Sequence, residues 1–295
     1  MNRIVSYDVD GTLRAGVDLD GTVVDLGAVG WGDSSPTSVK AMLASGSGAA
    51  DRAIELAVKA LASGAVEGRP LDDVVLGPVV PDPDKVICVG ANYRAHLDES
   101  EYPAPPFPEV FAKYPNALIG HGHSIPVTPI SSQIDYEGEL AVIIGQRCEN
   151  VSREEALSFV GGYTQANDIS ARDVQLRVSQ WVVGKSFDGF LPLGPALVPA
   201  SQVPDPQDLE LTTRLNGEVM QNSSTSLMIF DVIDIVVYLS SMMTLEPGDV
   251  ICTGTPGGVG LYRDPPVFLK EGDVIEIEID GLGLLSNPVH NKKVG

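Results

Sequence analysis

Three acidic side chains in two short segments have the spacing of a cation site. Glu137 and Glu139 alternate with Tyr136 and Gly138 in DYEGELAVIIG, so on an extended strand both carboxylates fall on one face. Two carboxylates side by side at the entrance to an apolar run repel each other and lose solvation unless a cation compensates. Asp168, in YTQANDIS, ends another apolar segment and offers a third oxygen. An all-oxygen set without His or Cys suits a hard ion, Mg²⁺ or Mn²⁺ and less often Ca²⁺, rather than zinc. The same acids also fit a solvated strand end in an acidic chain, and spacing alone leaves both readings open.

A second group follows the apolar segment KVICVG. In GANYRAHLDE, His96 and Glu99 stand three apart and share one face of a helical turn. A carboxylate on one imidazole nitrogen fixes the tautomer and raises the basicity of the other, the arrangement a general base needs; a single structural histidine has the same appearance. Lys185 stands alone in the apolar, aromatic stretch QWVVGKSFDGF, either as a positive clamp on an oxyanion or as a surface lysine. Arg172 and Gln175 lie just after Asp168. The loop TGTPGGVG, residues 253–260, has neither G-K-[ST] nor G-x-G-x-x-G. Tight turns that offer hydroxyls to a ligand suit it better than a phosphate cradle.

Asp8-x-Asp10-Gly11-Thr12, repeated as Asp18-x-Asp20-Gly21-Thr22, imitates the aspartate nucleophile of haloacid-dehalogenase-type phosphatases. Duplication ten residues apart and the absence of a parallel βαβ pattern downstream favour a pair of hairpin turns.

These groups need a strand-rich frame. RIVSY, TLRAGV and TVVDLG, separated by Asp-Gly, read as successive strands, and AADRAIELAVKALASG reads as a helix that stops at Gly64. A proline-rich connection then marks a boundary, giving a small α+β N-terminal domain over 1–78 and a β-rich domain over 79–295. In the second, KVICVG, a long IDYEGELAVIIG, GYTQANDI, RLNGEVMQ, DVICTGTP and DVIEIEIDGLGLLSNPV read as strands. SREEALSFV, with Ser152 and Glu155 in capping-box register, reads as a helix. SLMIFDVIDIVVYLSSMM reads as another, with Ile229, Ile233, Val236 and Val237 on its buried stripe and Asp231 and Asp234 turned away.

Lys and Arg number 19 against 40 Asp and Glu, a formal charge of −21. That sign argues against nucleic acid or an anionic membrane surface as a partner, and obliges an anionic substrate to find a locally positive site. No apolar run approaches the roughly 18 residues of a membrane span, and the N-terminus lacks a signal-peptide pattern. Cys88, Cys148 and Cys252 are odd in number and far apart, as expected of buried free thiols in a reduced, cytoplasmic, soluble protein.

Taken together, VGANYRAHLDE, DYEGELAVIIG, GYTQANDISARDVQ, GKSFDGFLPLGP, NGEVMQ, LEPGDVICTGTPGGVG and LKEGDVIEIEIDGLGLLSNPV stand in the order of the fumarylacetoacetate hydrolase family, which residues 80–290 resemble. The resemblance implies an α+β, β-rich catalytic domain, a mixed β-sandwich or roll, with a small N-terminal domain and usually a homodimer. It implies Glu137, Glu139 and Asp168 as metal ligands, His96 with Glu99 as the water-activating dyad, and Lys185 facing the substrate oxygens. Arg172, Gln175, Thr255 and Tyr93 are implied as substrate-binding. The activity implied is Mg²⁺- or Mn²⁺-dependent hydrolysis of a carbon–carbon bond in a small anionic 2,4-diketo acid, giving pyruvate and a carboxylic acid. Oxaloacetate decarboxylation and isomerisation of a 2-hydroxyhepta-2,4-diene-1,7-dioate are the close alternatives on the same site.

Overall fold

A computed structural model gives the structure of the chain and describes residues 1–32 and 34–292. The last three residues of the 79–295 span lie outside the described ones. The two Asp-Gly turns join strands Asn2–Val9, Thr12–Leu19 and Thr22–Asp25 into an antiparallel meander. Both turn residues take positive φ, 54° and 82° at Asp10 and Gly11 and 48° and 90° at Asp20 and Gly21. That is the left-handed pair a two-residue hairpin requires, so these aspartates shape turns.

Strand Asn2–Val9 pairs with Leu191–Pro199, so the meander continues a sheet of eleven strands. The order then runs through Val160–Asn167, Gly138–Ile144, Val250–Cys252 and Val86–Gly90 to Glu109–Ala112. A second, five-stranded sheet contains the hairpin Glu210–Leu215 and Glu218–Ser224, turned at Asn216-Gly217, together with Val274–Ile279 and Gly283–Asn291. The chain is strand-rich α+β, as the sequence implies.

The central strand Gly138–Ile144 is buried throughout, and apolar from Leu140 onward, because both its faces are covered. Leu140, Val142 and Ile144 pack with Ile277, Ile279 and the helix Val232–Met242, while Ala141 and Ile143 join a core that includes Ala53 and Ala57 of helix Ala49–Ala62.

Three expectations change. IDYEGELAVIIG is two strands, Ile134–Asp135 and Gly138–Ile144, because side chains take the intervening amides: Asp135 Oδ1 accepts Tyr136 N–H at 2.8 Å, Asn167 Oδ1 accepts Glu137 N–H at 3.0 Å, and Gln221 Oε1 accepts Gly138 N–H at 3.0 Å. SREEALSFV forms a turn and the 3₁₀ helix Ala156–Phe159 rather than an α-helix; Gly145 and Gln146 donate to the Phe159 carbonyl there. The later helix starts only at Val232, because Asp231 and Asp234 form a capping box at its N-terminus instead of facing away. Its buried residues are accordingly Val232, Ile235, Val236 and Leu239.

Candidate active site

Glu139 lies on strand Gly138–Ile144, with Ala166 of Val160–Asn167 as its cross-strand partner. Glu137 sits in the break before that strand, and Asp168 follows the neighbouring strand, its N–H donating to the Glu137 carbonyl at 2.9 Å. One oxygen from each acid therefore lies within 4.8 Å of the other two, and all three residues are buried.

Three cations are buried with them. Lys185 Nζ bridges Glu137 Oε2 at 2.6 Å and Asp168 Oδ2 at 2.8 Å. Lys113 Nζ donates to Asp168 Oδ1 at 2.5 Å and to the Ile169 carbonyl at 3.0 Å. Arg172 Nε donates to Asp135 Oδ2 at 2.9 Å, and its Nη2 lies 2.7 Å from Glu137 Oε1. Burial alone would raise the Glu137 carboxyl, but Lys185 and Arg172 outweigh it and hold the group down at about 2. Glu139 has no such partner. Its Oε2 accepts Gly254 N–H at 2.9 Å, and burial, with Cys252, Asp168 and Glu137 adding, pushes its carboxyl well above the ordinary range.

That contrast is the test of fit for a metal. A buried carboxylate lining a cavity without a cationic partner, beside two more all-oxygen donors, suits a hard divalent ion. Glu137, Glu139 and Asp168 would hold Mg²⁺ or Mn²⁺.

His96, Glu137 and Glu139 line a cavity of about 360 Å³, which Arg172, Gln175, Lys185 and Thr255 also line. His96 is carried by the helix Arg94–Ser100, and its Nδ1 lies 2.7 Å from Glu99 Oε1. Asn92 ties the turn before this helix to the rest of the fold, donating to the Phe230 and Thr253 carbonyls and accepting Phe230 N–H. Gln175, one turn after Arg172, accepts from Arg172 Nη1 at 3.2 Å, which leaves its NH₂ for the cavity. The backbone at Gly184 approaches Gln175 so closely that a Cβ would lie 2.5 Å from its Cα, and this brings Lys185 to the acids.

The glycine-rich loop turns its amides onto the protein's own carboxylates. Gly254 N–H serves Glu139, Gly258 N–H serves Glu99, and Gly260 and Leu261 N–H serve the two oxygens of Asp135. Its two threonine hydroxyls also have partners within the protein, and Thr255 lines the cavity. Thr253 donates to the Leu140 carbonyl, and Thr255 donates to the Gly138 carbonyl while accepting from Gln221 Nε2 at 2.8 Å. Tyr93, the residue at the start of the helix Arg94–Ser100, is buried and is not among the residues lining the cavity, and its hydroxyl has no hydrogen-bond partner among the described residues. Asp168 and Glu99 stand behind the wall, gripping the groups that line it.

The site therefore unites the acids, the dyad, Lys185, Arg172, Gln175 and Thr255. Sequence reading missed Lys113, Asp135, Asn167 and Gln221. Asp135 was in view, one residue before Tyr136 in the acidic motif. Lys113 is signalled only as a charged residue ending the β-prone run EVFA.

Comparison with known proteins gives a consistent picture. A family model described as fumarylacetoacetate (FAA) hydrolase C-terminal matches residues 85–290. The chain is 41% identical over 280 residues, 94% of its length and 86% of the relative's, to a protein named oxaloacetate tautomerase, mitochondrial, from Xenopus laevis. A fumarylacetoacetate hydrolase from Exiguobacterium antarcticum superposes with a TM-score of 0.85 at 37% identity, covering 99% of this chain and 100% of that one. A maleylpyruvate hydrolase from Sphingobium superposes at 0.80 with 30% identity, covering 98% of this chain and 100% of the other.

Proposed function

The chain belongs to the fumarylacetoacetate hydrolase family, and from that premise we propose that it is a divalent-metal-dependent tautomerase that moves a proton between the keto and enol forms of a short 2-oxo acid of the oxaloacetate type. The observation that carries this reading is that His96, backed by Glu99, lines one small cavity together with Glu137 and Glu139 of the acidic triad.

Glu99 is a carboxylate and accepts, so Nδ1 of His96 carries the proton and Nε2 keeps its lone pair for the cavity. That nitrogen takes the proton from the carbon next to the 2-oxo group and passes it to the 2-oxo oxygen to give the enol; the same transfer in reverse restores the keto form. The imidazolium formed meanwhile is stabilised by Glu99, which Gly258 N–H holds in place at 2.7 Å. Bound at Glu137, Glu139 and Asp168, Mg²⁺ or Mn²⁺ would supply Lewis-acid polarisation of a carbonyl oxygen. Arg172 and Lys185 bring positive charge to the anionic end of the substrate, and the Gln175 NH₂ orients it.

Hydrolysis of a 2,4-diketo acid is the second reading. The likeness to maleylpyruvate hydrolase favours it, as does a base that could equally activate water. A homodimer in a reducing, cytoplasmic setting completes the proposal; the Xenopus relative is named as mitochondrial.

The test follows the enol absorbance of oxaloacetate with Mn²⁺ or Mg²⁺ present, beside assays for pyruvate and carbon dioxide. Enzyme-dependent loss of enol without carbon dioxide supports the tautomerase. Faster release of a carboxylic acid from a panel of 2,4-diketo acids would replace it by the hydrolase.

A further inference from the structure

Lys113 is the one buried cation of the site that does not reach the cavity. It follows the edge strand Glu109–Ala112, and its N–H donates to the Val86 carbonyl at 3.2 Å. From there its side chain runs inward, fully buried, to Asp168 Oδ1 at 2.5 Å and the Ile169 carbonyl at 3.0 Å. Lysine is rarely this buried, and only strong pairing makes it tolerable. Asp168 thus has an ammonium group on each oxygen, Lys113 on Oδ1 and Lys185 on Oδ2. Lys185 is shared with Glu137 and lines the cavity; Lys113 serves Asp168 alone among the acids.

The formal charges give this second lysine a purpose. The buried acids of the site are Asp135, Glu137, Glu139 and Asp168, and the buried cations are Lys113, Arg172 and Lys185, while Glu99 and Glu109 add part-buried carboxylates beside the cavity. With these acids ionised the site is short of positive charge, and a divalent ion offsets two units of that deficit before the carboxylate of a 2-oxo acid arrives. Without Lys113 the deficit grows by one unit, and a trivalent ion would be needed to restore the same net charge.

We propose that Lys113 is a positioning and charge-setting residue: it fixes the Asp168 carboxylate, makes the triad selective for doubly charged over triply charged cations, and lowers by one unit the negative charge that the substrate carboxylate meets at the loaded site. The inference rests on the reading of the triad as a divalent-cation site and goes beyond it by assigning the ion's charge to one remote side chain.

The experiment compares Lys113→Met, Lys113→Gln and Lys113→Arg with the wild type. The metal-free proteins are titrated with Mn²⁺ and with Tb³⁺, the latter read by its luminescence, and KM and kcat for oxaloacetate are measured on the Mn²⁺-loaded forms. Loss of a unit charge a few ångströms from the ion is expected to raise the ratio of Tb³⁺ to Mn²⁺ affinity about tenfold or more in Lys113→Met. KM should rise with a smaller fall in kcat, and Lys113→Arg should restore both. Should Lys113→Met fail to fold, Lys113→Gln carries the same reading, because it keeps a donor for Asp168 and drops only the charge. An unchanged affinity ratio in a folded neutral variant overturns the proposal, as does an equal change in Lys113→Arg. A wild type that binds neither ion would remove the triad reading itself, a distinguishable failure.

Discussion

Glu99 and Gly258, far apart in the chain, are joined by a 2.7 Å hydrogen bond from the glycine N–H to Glu99 Oε2, while Oε1 of the same carboxylate holds His96 Nδ1 at 2.7 Å. The His96–Glu99 pair is therefore held by the glycine-rich loop as well as by its own helix. A short helical turn of seven residues could not fix it alone, since isolated helices of that length are unstable in water.

His96→Ala should lower kcat by about 10²–10⁴-fold, the usual range for a positioned base. Mn²⁺ binding should be unchanged, because His96 makes no hydrogen bond to the triad. Glu99→Gln should lose a large part of the same factor, since a neutral amide stabilises an imidazolium poorly. Steady-state kinetics beside calorimetric titration separates the two effects; a His96→Ala enzyme with near-normal turnover would end the dyad's role.

Gly258→Ala tests the loop. Its φ of +102° disfavours any side chain, and a Cβ there would lie 2.3 Å from the Met220 carbonyl. The variant should be destabilised by more than about 1 kcal/mol in denaturant titration. It should also lose turnover at saturating metal, because Glu99 then loses its anchor. Full activity would show that the helical turn positions the dyad without help.

Local chemistry was legible in the sequence where its partners are close. The i, i+3 pair His96 and Glu99, the Asp-Gly hairpins and the turn at Asn216-Gly217 all stand as read. The triad was legible because strand alternation brings Glu137 and Glu139 together, although the strand breaks between them and Glu137 converges by another route. What could not be read are pairings created only by the fold. Lys113 meets Asp168 across 55 positions, and Asp135 meets Gly260 across 125. The glycine-rich loop shows the same limit: its sequence reads as tight turns with hydroxyls, and only the fold reveals that its amides serve Glu99, Glu139 and Asp135.

Asp135→Asn examines one of these hidden pairings. Asp135 accepts from Gly260, Leu261 and Arg172, so one carboxylate holds both the loop and the guanidinium beside Glu137. Breaking a buried charge pair by removing one partner costs about 3–5 kcal/mol. A fall in thermal midpoint together with a raised KM is expected, and a variant unchanged in both would leave Asp135 a bystander.

Metal binding should be linked to pH through Glu139. Its carboxyl lies well above the ordinary value of 4.5, mainly because burial disfavours the charged form. A group raised in this way stabilises the folded state fully below its unfolded value, and that contribution is lost as pH rises through the folded value. Glu137, held at about 2, stays ionised across this window and adds no slope. His121 works in the opposite sense. Burial lowers its pKa, so its contribution is present above the unfolded value and lost as pH falls. His121 lines a different cavity from the triad, so the difference between Mn²⁺-loaded and chelator-treated protein cancels its effect. That difference should widen as pH rises above the ordinary carboxylate range. A cation competes with the Glu139 proton, and the competition eases as the proton becomes scarce. Thermal melts of both forms across a pH series measure it directly. Parallel melting curves with a constant offset would mean that Glu139 gives up no proton to the metal, and would remove it from the ligand set.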